Sequence, residues 1–384
     1  MTGRKLFICG LIFSLLCSLT ACGQTASVPT EIEIPATETT LPIPETEAIP
    51  ETEAITEPLM SHQEYLNVIR EAIAPAQGIL DASYWTAAAI APDGSVFYAG
   101  LDLGGYSEEA KDFPPMRSIN CEGHFIAGIT REGQAVITPR GDYMTDIGQY
   151  SLSTWENMRQ ISSQGDLNAG IREDGTAVAA GGFYECRWYG NETLPELQGC
   201  KKIIAAGVDM LLALTQEGTL EVATRNPWGI CDAYTYDLSS WEGLSDVISD
   251  KEITLGIRED GTVLTEGVIY SDPEECYYDV PILDWTDIVA ADLQAGQLVG
   301  LRADGTVCYV DCRPEEIKYS VPEFEEIKNW EDIVAVAMGG TFILGYKADG
   351  TVLACGEDAE LMKEISQWKL APVEVPWQIP HEMP

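Results

Sequence analysis

Among the side chains that most often carry out catalysis, histidine is scarce in this sequence and carboxylates are abundant. Its 384 residues include only three histidines, His62, His124 and His381, which lie far apart along the chain. A histidine-based catalytic triad or a histidine-rich metal site is therefore not expected. The sequence also has no phosphate-binding glycine loop and no dinucleotide fingerprint, so we expect no cofactor and no bound metal.

Carboxylates are the most abundant reactive groups, because 62 Asp and Glu oppose 22 Lys and Arg for a net charge of −40. Paired carboxylates could cleave glycosidic bonds, but the sequence singles out no pair. The charge argues against a protein that binds nucleic acid, since phosphates need a basic face. Arg172, Arg258 and Arg302 recur at one position of a repeat, and we interpret them as solvated strand ends.

One cysteine near the N-terminus can be assigned a reaction. An apolar run over residues 6–19 is too short for a comfortable membrane span, and Leu19-Thr20-Ala21-Cys22 follows it directly. This motif resembles the lipobox of bacterial lipoproteins. The resemblance implies a signal peptide over residues 1–21, acylation of Cys22, and anchoring to the bacterial cell membrane on its extracytoplasmic side. The alternative is an ordinary secretory signal cleaved at a small-residue site.

Residues 22–60 are predicted to form a disordered tether. The segment 24–58 holds eight Glu and no Lys, Arg or aromatic residue, and Pro-Glu-Thr-Glu-Ala-Ile occurs twice in succession over residues 44–55. Such a segment buries too little apolar surface to fold, and its charges and prolines keep it extended. It is either a spacer that lifts a folded domain off the membrane or a low-complexity segment without a selected length.

A short helix is predicted within residues 61–80. Ser61 fits the N-cap position, Glu64 completes a capping box, and Pro75 should end the helix. Its apolar residues recur at helical spacing: Tyr65, Leu66, Ile69 and Ile73.

Residues 81–384 contain seven copies of one motif. Each copy carries an acid–glycine pair, and the seven glycines follow one another at intervals of 39 to 45 residues: Gly94, Gly133, Gly175, Gly218, Gly261, Gly305 and Gly350. Such a glycine fits a hairpin turn that needs a positive φ, and the acid can accept hydrogen bonds from the turn backbone. A Gly or Ala always stands four residues before the acid, where a small residue admits a close neighbour.

Tryptophans share one register within the repeats. In four copies a tryptophan stands nineteen residues before the acid: Trp155, Trp241, Trp285 and Trp330. Each unit is predicted to form antiparallel strands around a hairpin. No single unit can bury both of its faces, and radial stacking of all-β units about forty residues long gives a propeller.

The same residues carry a family resemblance. Each clear copy begins with a Trp-x-Asp-Ile-Val-Ala segment, as at 285–290 and 330–335. The hairpin that follows reads as a small residue, an apolar residue, Arg or Lys, any residue, and then Asp-Gly-Thr-Val. This pattern resembles the regulator of chromosome condensation repeat over about residues 81–377. The resemblance implies an all-β, seven-bladed β-propeller used as a binding platform. Many family members place a histidine seven residues before the acid. Here apolar packing is expected to replace it at the equivalent positions: Phe125, Leu167, Met210, Ile253, Gln297 and Phe342.

Closure of the ring is predicted to involve the C-terminus. The first repeat begins near Asp81 without a tryptophan, while residues 373–377 follow Gly350 at about the distance that separates Trp330 from Gly305. We expect this C-terminal segment to pair with blade one.

Eight cysteines follow Cys22: Cys121, Cys186, Cys200, Cys231, Cys276, Cys308, Cys312 and Cys355. An even number outside the cytoplasm permits disulfides, and Cys186, Cys231 and Cys276 fall in equivalent loops where neighbouring blades could be joined. Free thiols are the favoured interpretation.

Aromatic residues in three predicted loops are the candidate binding residues: Phe183, Tyr184, Trp188, Tyr189, Trp228, Tyr234, Tyr236, Tyr277 and Tyr278. They either anchor a ligand or pack between blades. The favoured function is a monomeric, lipid-anchored, cell-surface propeller that binds a protein or glycan without catalysis. The alternatives are an extracytoplasmic glycan hydrolase with paired carboxylates and a structural protein of the envelope.

Overall fold

The computed structural model describes residues 59–101, 106–122, 125–138, 149–165, 167–182, 188–207, 210–224, 238–250, 252–271, 276–313 and 324–382. The proposed signal peptide, Cys22 and almost all of the tether lie outside these ranges. Within them, no helix is both long and apolar enough to cross a bilayer.

The predicted N-terminal helix is present as α1 (His62–Ile73). The Ser61 N–H donates to Glu64 Oε2 at 2.9 Å, and the Glu64 N–H donates to Ser61 Oγ at 3.3 Å, which completes the capping box. The helix ends two residues before Pro75. Its buried residues are the four apolar ones in the predicted stripe: Tyr65, Leu66, Ile69 and Ile73.

Seven antiparallel sheets follow, each built from consecutive strands. Blade one contains β1 (Leu80–Ser83), β2 (Thr86–Ile90) and β3 (Val96–Gly100), and blade two contains β4 (Met116–Glu122), β5 (Phe125–Thr130) and β6 (Ala135–Ile137). Blade three contains β7 (Met158–Gln164), β8 (Leu167–Arg172), β9 (Ala177–Gly181) and β10 (Trp188–Thr193). Blade four contains β11 (Lys202–Ala205), β12 (Met210–Leu214) and β13 (Leu220–Thr224). Blade five contains β14 (Leu244–Ser249), β15 (Ile253–Arg258), β16 (Val263–Ser271) and β17 (Cys276–Asp279). Blade six contains β18 (Ile288–Gln294), β19 (Gln297–Arg302) and β20 (Val307–Asp311), and blade seven contains β21 (Ile333–Met338), β22 (Phe342–Lys347) and β23 (Val352–Gly356).

The first strand of every blade packs against the first strand of the next, and β21 packs against β1. The sheets therefore form a closed ring, and the predicted seven-bladed β-propeller is confirmed. Two further helices, α2 (Tyr106–Ala110) and α3 (Ala359–Ile365), lie after blades one and seven.

The acid–glycine pairs form the turns between the second and third strands, as predicted. All seven repeat glycines have positive φ, between 76° and 96°. In blade six, for example, Asp304 Oδ1 accepts a hydrogen bond from the Thr306 N–H at 2.9 Å. These turns lie together at one end of the propeller, which we call the turn face. The turns between first and second strands lie at the other end, the loop face.

The turn glycines also join each blade to its successor. The carbonyl of Gly261 accepts a hydrogen bond from the Ile288 N–H at 3.0 Å, and that of Gly305 accepts one from the Ile333 N–H at 3.0 Å. Because the same contact recurs from blade one onward, the turn that defines the repeat also fixes the spacing between blades.

The small residue of the repeat makes room for the repeat's tryptophan. A Cβ added to Gly256, Gly300 or Gly345 would lie 2.8 Å from the ring of the tryptophan nineteen residues before that blade's acid. The two repeats that have Ala instead, at Ala89 and Ala213, have no aromatic residue at the tryptophan position. The four tryptophans are at most 8% exposed, so the glycines allow large rings to fill the space between blades.

Polar side chains on the first strands, or directly after them, connect the blades around a central channel of 190 Å³. In each case a side chain accepts a hydrogen bond from a backbone N–H of the following blade. The bonds are Asp81 to Cys121, Gln164 to Gly207, Asp250 to Ala295, and Asp292 to Met338.

The positions that hold histidine in many family members pack as expected in five of six blades. Phe125, Leu167, Met210, Ile253 and Phe342 are all buried. Gln297 is the exception, since its buried amide donates to the Gly340 carbonyl at 3.0 Å and accepts from the Tyr309 hydroxyl at 2.9 Å.

The predicted pairing of the C-terminal segment with blade one is wrong. The Leu370 N–H donates to the Gly350 carbonyl at 2.8 Å, and the Val373 N–H donates to the Ala348 carbonyl at 2.8 Å. The Leu370 N–H thus supplies to the Gly350 carbonyl the donor that the other turn glycines receive from the residues that lead into the next blade, which explains why the segment pairs with blade seven.

Ring closure uses other groups. The Gly340 N–H donates to the Tyr84 carbonyl at 3.0 Å, and the Gln77 side chain donates to the Val334 carbonyl at 2.8 Å. These contacts join blade seven to blade one, and we call this junction the seam.

Candidate binding site

The turn between β1 and β2 places a tryptophan at the surface of the seam. Trp85 is 54% exposed, whereas the four repeat tryptophans are buried. Its carbonyl accepts a hydrogen bond from the Leu101 N–H at 3.0 Å, which fixes the backbone of the turn. The Tyr84 ring lies beside it, with ring centroids 5.7 Å apart. The indole is thus held in position with much of its surface facing solvent.

A glycine allows the outer strand of blade one to approach this turn. Gly100 has a φ of +112°, and a Cβ there would lie 2.1 Å from the Trp85 carbonyl oxygen. No other residue fits without moving the turn. Leu101 follows immediately and is 48% exposed, so a second apolar side chain lies next to the indole.

Helix α3 forms another wall of the site. Asp358 caps it by accepting hydrogen bonds from the Glu360 and Leu361 N–H groups, both at 3.1 Å. Met362 and Ile365 are buried, and α3 packs against both β3 and β23. The helix therefore bridges the seam.

Trp85 and α3 enclose a pocket of 710 Å³ on the loop face. Trp85, Leu101, Phe342 and Leu361 supply its apolar surface. Its polar lining includes three carboxylates and one ammonium group: Asp358, Glu360, Glu364 and Lys363. The volume falls in the range of ordinary ligand pockets, which also combine apolar surface with a few polar groups. We call it the seam pocket.

The central channel contains the acids whose pKa departs most from the ordinary value. Burial raises the pKa of Asp81 to about 6. Burial, with repulsion from Asp81, raises the pKa of Asp292 to about 8. Both carboxyls bind backbone N–H groups of the following blade, so their position serves the joining of blades. In the described ranges, no cluster of three or more His, Cys, Asp or Glu is arranged to hold a metal ion.

Two of the three histidines come together, which the sequence did not indicate. His62 Nε2 lies 2.9 Å from Asp287 Oδ1, and the His381 ring stacks on Tyr65 with centroids 3.7 Å apart. The two imidazoles are 6.0 Å apart. They hold α1 and the C-terminal residues on the turn face. His124 lies outside the described residues.

The predicted aromatic loops are only partly described. Phe183, Tyr184, Trp228, Tyr234 and Tyr236 lie outside the described residues. The other four belong to strands and not to loops: Trp188 and Tyr189 to β10, and Tyr277 and Tyr278 to β17. Blades three and five each have a fourth strand here, because the chain after the hairpin folds back on the third strand. Their role as binding residues stays a prediction.

Five of the cysteines are described, and all five are free thiols: Cys121, Cys200, Cys308, Cys312 and Cys355. The favoured interpretation is confirmed for these five. The sulfur positions of Cys186, Cys231 and Cys276 lie outside what the structure describes.

Trp85 was not among the candidate residues predicted from the sequence, although a signal was available. The turn between first and second strands holds Gly165, Gly207, Gly296 and Gly340 in other blades, and Trp85 is the one tryptophan at this place in any repeat. In blade one a large aromatic residue stands in a turn that holds glycine in four other blades, and 54% of its surface is exposed.

Comparison with known proteins agrees with the fold. No family model matches the chain, and no curated protein matches its sequence. Its structure is similar to the CRINKLY WD40 ectodomain of the receptor kinase ACR4 from Arabidopsis thaliana, at 14% identity, 77% coverage of this chain, 97% coverage of that chain and a TM-score of 0.51. It is also similar to Prp20p, the RCC1 protein of Saccharomyces cerevisiae, at 14% identity, 74% and 84% coverage and a TM-score of 0.50. The chain is a seven-bladed β-propeller with the architecture that its repeat, similar to that of the regulator of chromosome condensation proteins, had indicated.

Proposed function

We propose that this chain is a lipid-anchored, extracytoplasmic β-propeller that binds a protein partner without catalysis, and that the partner docks at the seam pocket. The observation that carries the proposal is the half-exposed Trp85 beside a 710 Å³ pocket. Tryptophan is the residue type most enriched among those that dominate binding energy, particularly next to a cavity that a partner side chain can fill.

The attachment of the tether is compatible with this role. Helix α1, the first element after the tether, lies on the turn face, where the Tyr65 hydroxyl donates to the Ala303 carbonyl at 3.0 Å. The seam pocket lies on the loop face, at the other end of the strands. Residues 59–61, which lead into α1, are therefore at the opposite end of the strands from the seam pocket.

Two further points favour binding over glycan hydrolysis. The carboxyls of Asp81 and Asp292 are occupied by backbone N–H groups, so they serve the structure of the ring. Prp20p, which has a similar fold, has been studied for its binding to Gsp1p and histones, so a propeller of this architecture can bind proteins. Those partners are not transferred to this chain.

The test places a photo-crosslinking amino acid at position 101 of the full-length protein in its own membrane. We expect a protein adduct that disappears when Trp85→Ala is added. The matched control places the same amino acid at Ile282, which is 93% exposed and does not line the seam pocket. Equal adducts from both positions, or an adduct that survives Trp85→Ala, would overturn the proposal.

The anchor is tested separately. Cys22→Ser should move the protein from the membrane fraction to the medium or periplasm, because the acyl chains supply the membrane affinity. Membrane retention of this variant would contradict the lipid anchor. A glycan-hydrolysis screen on the same preparation tests the alternative function. Glycan turnover that is abolished by a single Asp or Glu substitution would establish that alternative.

A further inference from the structure

We propose that the seam pocket recognises a cationic segment of the partner, with a Lys or Arg side chain lying across the Trp85 indole and its charge among the carboxylates of α3. This inference rests on the proposed function and adds the chemistry of the partner.

The charge of the pocket is the first argument. Asp358, Glu360 and Glu364 contribute three carboxylates, and Lys363 contributes the single ammonium group. Lys363 Nζ lies 3.9 Å from Glu360 Oε2, and their side chains are 71% and 90% exposed. An exposed pair at this distance interacts weakly, so its carboxylate stays available to a partner. The pocket therefore attracts positive charge and repels acidic peptides, acidic glycans and phosphates.

The placement of the indole is the second argument. Trp85 and the α3 carboxylates line one pocket, so a side chain that lies on the indole can extend its charged end toward those carboxylates. A cation over a tryptophan face is attracted by the electron-rich ring, and more strongly where water is excluded. Trp85 therefore provides a surface that prefers cations for the same reason that the carboxylates do.

The apolar lining is the third argument. Leu101, Leu361 and the buried Phe342 line the same pocket as the indole and the carboxylates. The methylene stems of Lys and Arg pack on such surfaces while their charged ends remain at the rim. Arg fits best, because its planar guanidinium stacks on aromatic rings and pairs with carboxylates in two-bond geometry.

The test measures binding of three synthetic dodecapeptides to the full-length protein in a neutral detergent by isothermal titration calorimetry. The peptides alternate Leu with Arg, Leu with Gln, or Leu with Glu. We expect the Arg peptide to bind at least tenfold more tightly than the Gln peptide, and the Glu peptide to show no binding.

Two variants assign the binding to the pocket. Trp85→Ala and the double variant Glu360→Gln/Glu364→Gln should each weaken the Arg peptide about tenfold. The matched control is Glu132→Gln/Glu217→Gln, which removes the same charge from exposed turn acids on the turn face. An equal loss in this control would show that the peptide responds only to the overall charge of −40, and would overturn the inference.

Failure of the inference is distinguishable from failure of the proposed function. If position 101 crosslinks to a protein whose docking segment has no Lys or Arg, or if the Gln peptide binds as tightly as the Arg peptide, only the cationic chemistry is wrong. Binding of an uncharged glycan by a protein that binds none of the three peptides would also overturn the inference of a cationic partner. If position 101 crosslinks to no protein, the proposed function itself fails.

Discussion

The Trp368 ring stacks on the Phe97 ring across the seam, with centroids 5.6 Å apart and planes inclined by 10°. Phe97 belongs to the outer strand of blade one, and Trp368 follows the helix that closes blade seven. The contact joins the two ends of the ring on its outer side, while β21 and β1 join it on the inner side. The C-terminal residues therefore contribute to ring closure, although they pair with blade seven.

Trp368→Ala should destabilise the protein by roughly 3 to 5 kcal/mol, the range for truncating a large buried aromatic residue. Trp368 is 6% exposed, so the cavity left behind is closed to solvent. Urea unfolding followed by circular dichroism measures the change. The control is Trp85→Ala, which should cost under about 1 kcal/mol because that ring is half exposed. Equal effects of the two substitutions would contradict the role assigned to Trp368.

Deletion of residues 366–384 should lower the melting temperature further than Trp368→Ala does. The deletion removes Trp368 and Leu370 from the core, and with them the donors to the Gly350 and Ala348 carbonyls. Differential scanning calorimetry of the two variants and the parent checks the order. An unchanged melting curve for the deletion would show that the seam holds without the C-terminal segment.

Gly300→Ala should destabilise the protein by roughly 1 to 3 kcal/mol, as expected for overpacking of a close-packed interior. The added Cβ would lie 2.8 Å from the Trp285 ring and 2.9 Å from the Cys308 sulfur. Gly300 lies in β19 without a positive φ, so alanine strains no backbone and would otherwise stabilise the fold.

A double-mutant cycle isolates the contact with Trp285. Combined with Trp285→Leu, the Gly300→Ala substitution should lose most of its cost, because the smaller side chain leaves room for the Cβ. Strictly additive effects of the two substitutions would show that the glycine is required for another reason.

The repeat made the ring predictable, because one local device recurs in every blade. The glycine of the acid–glycine turn has a positive φ, and its carbonyl accepts a hydrogen bond from the next blade. The small residue before the turn leaves room for the tryptophan ring. Each part has a signature in residue type and spacing, so Gly261, Trp285 and their equivalents were identified from sequence. The capping box at Ser61 was predictable for the same reason.

The seam was not predictable, because the run of repeats is interrupted there: no further repeat follows blade seven to supply the contact that recurs between the other blades. Blade one has no tryptophan in the repeat register, as blade four has none, and the partners of Leu370 and Trp368 lie in two different blades. Periodicity says which residues are equivalent, but it does not say which contacts replace a missing copy. Trp85 and α3 lie at that interruption, so the seam pocket became visible only in the structure.

The five described cysteines should be alkylated completely in denaturant without any reductant, because they are free thiols. In the native protein, alkylation at pH 8 should be slow. Burial raises the pKa of the Cys121 and Cys355 thiols and raises that of Cys308 to about 11, so little thiolate is present. Peptide mass mapping after timed alkylation measures both. A requirement for reductant at any of the five would contradict the free-thiol assignment.

Asp292→Asn should remove a loss of stability that the parent protein suffers between about pH 4 and pH 8. In the unfolded chain an aspartate titrates near 4, whereas burial and the neighbouring Asp81 raise the folded pKa of Asp292 to about 8. The folded state thus holds a proton that the unfolded state gives up. The contribution of this group is therefore fully present below about pH 4 and is lost as pH rises through 8.

The measurement is the free energy of unfolding in urea at several values between pH 5 and pH 9, read as the difference between variant and parent so that other acids cancel. The free energy of unfolding of the variant should increase relative to that of the parent as pH rises, because asparagine cannot ionise and its amide oxygen can still accept a hydrogen bond from the Met338 N–H. The exposed Glu331→Gln serves as the matched neutralisation and should show no such trend. Parallel curves for Asp292→Asn and the parent would mean that Asp292 does not retain its proton in the channel.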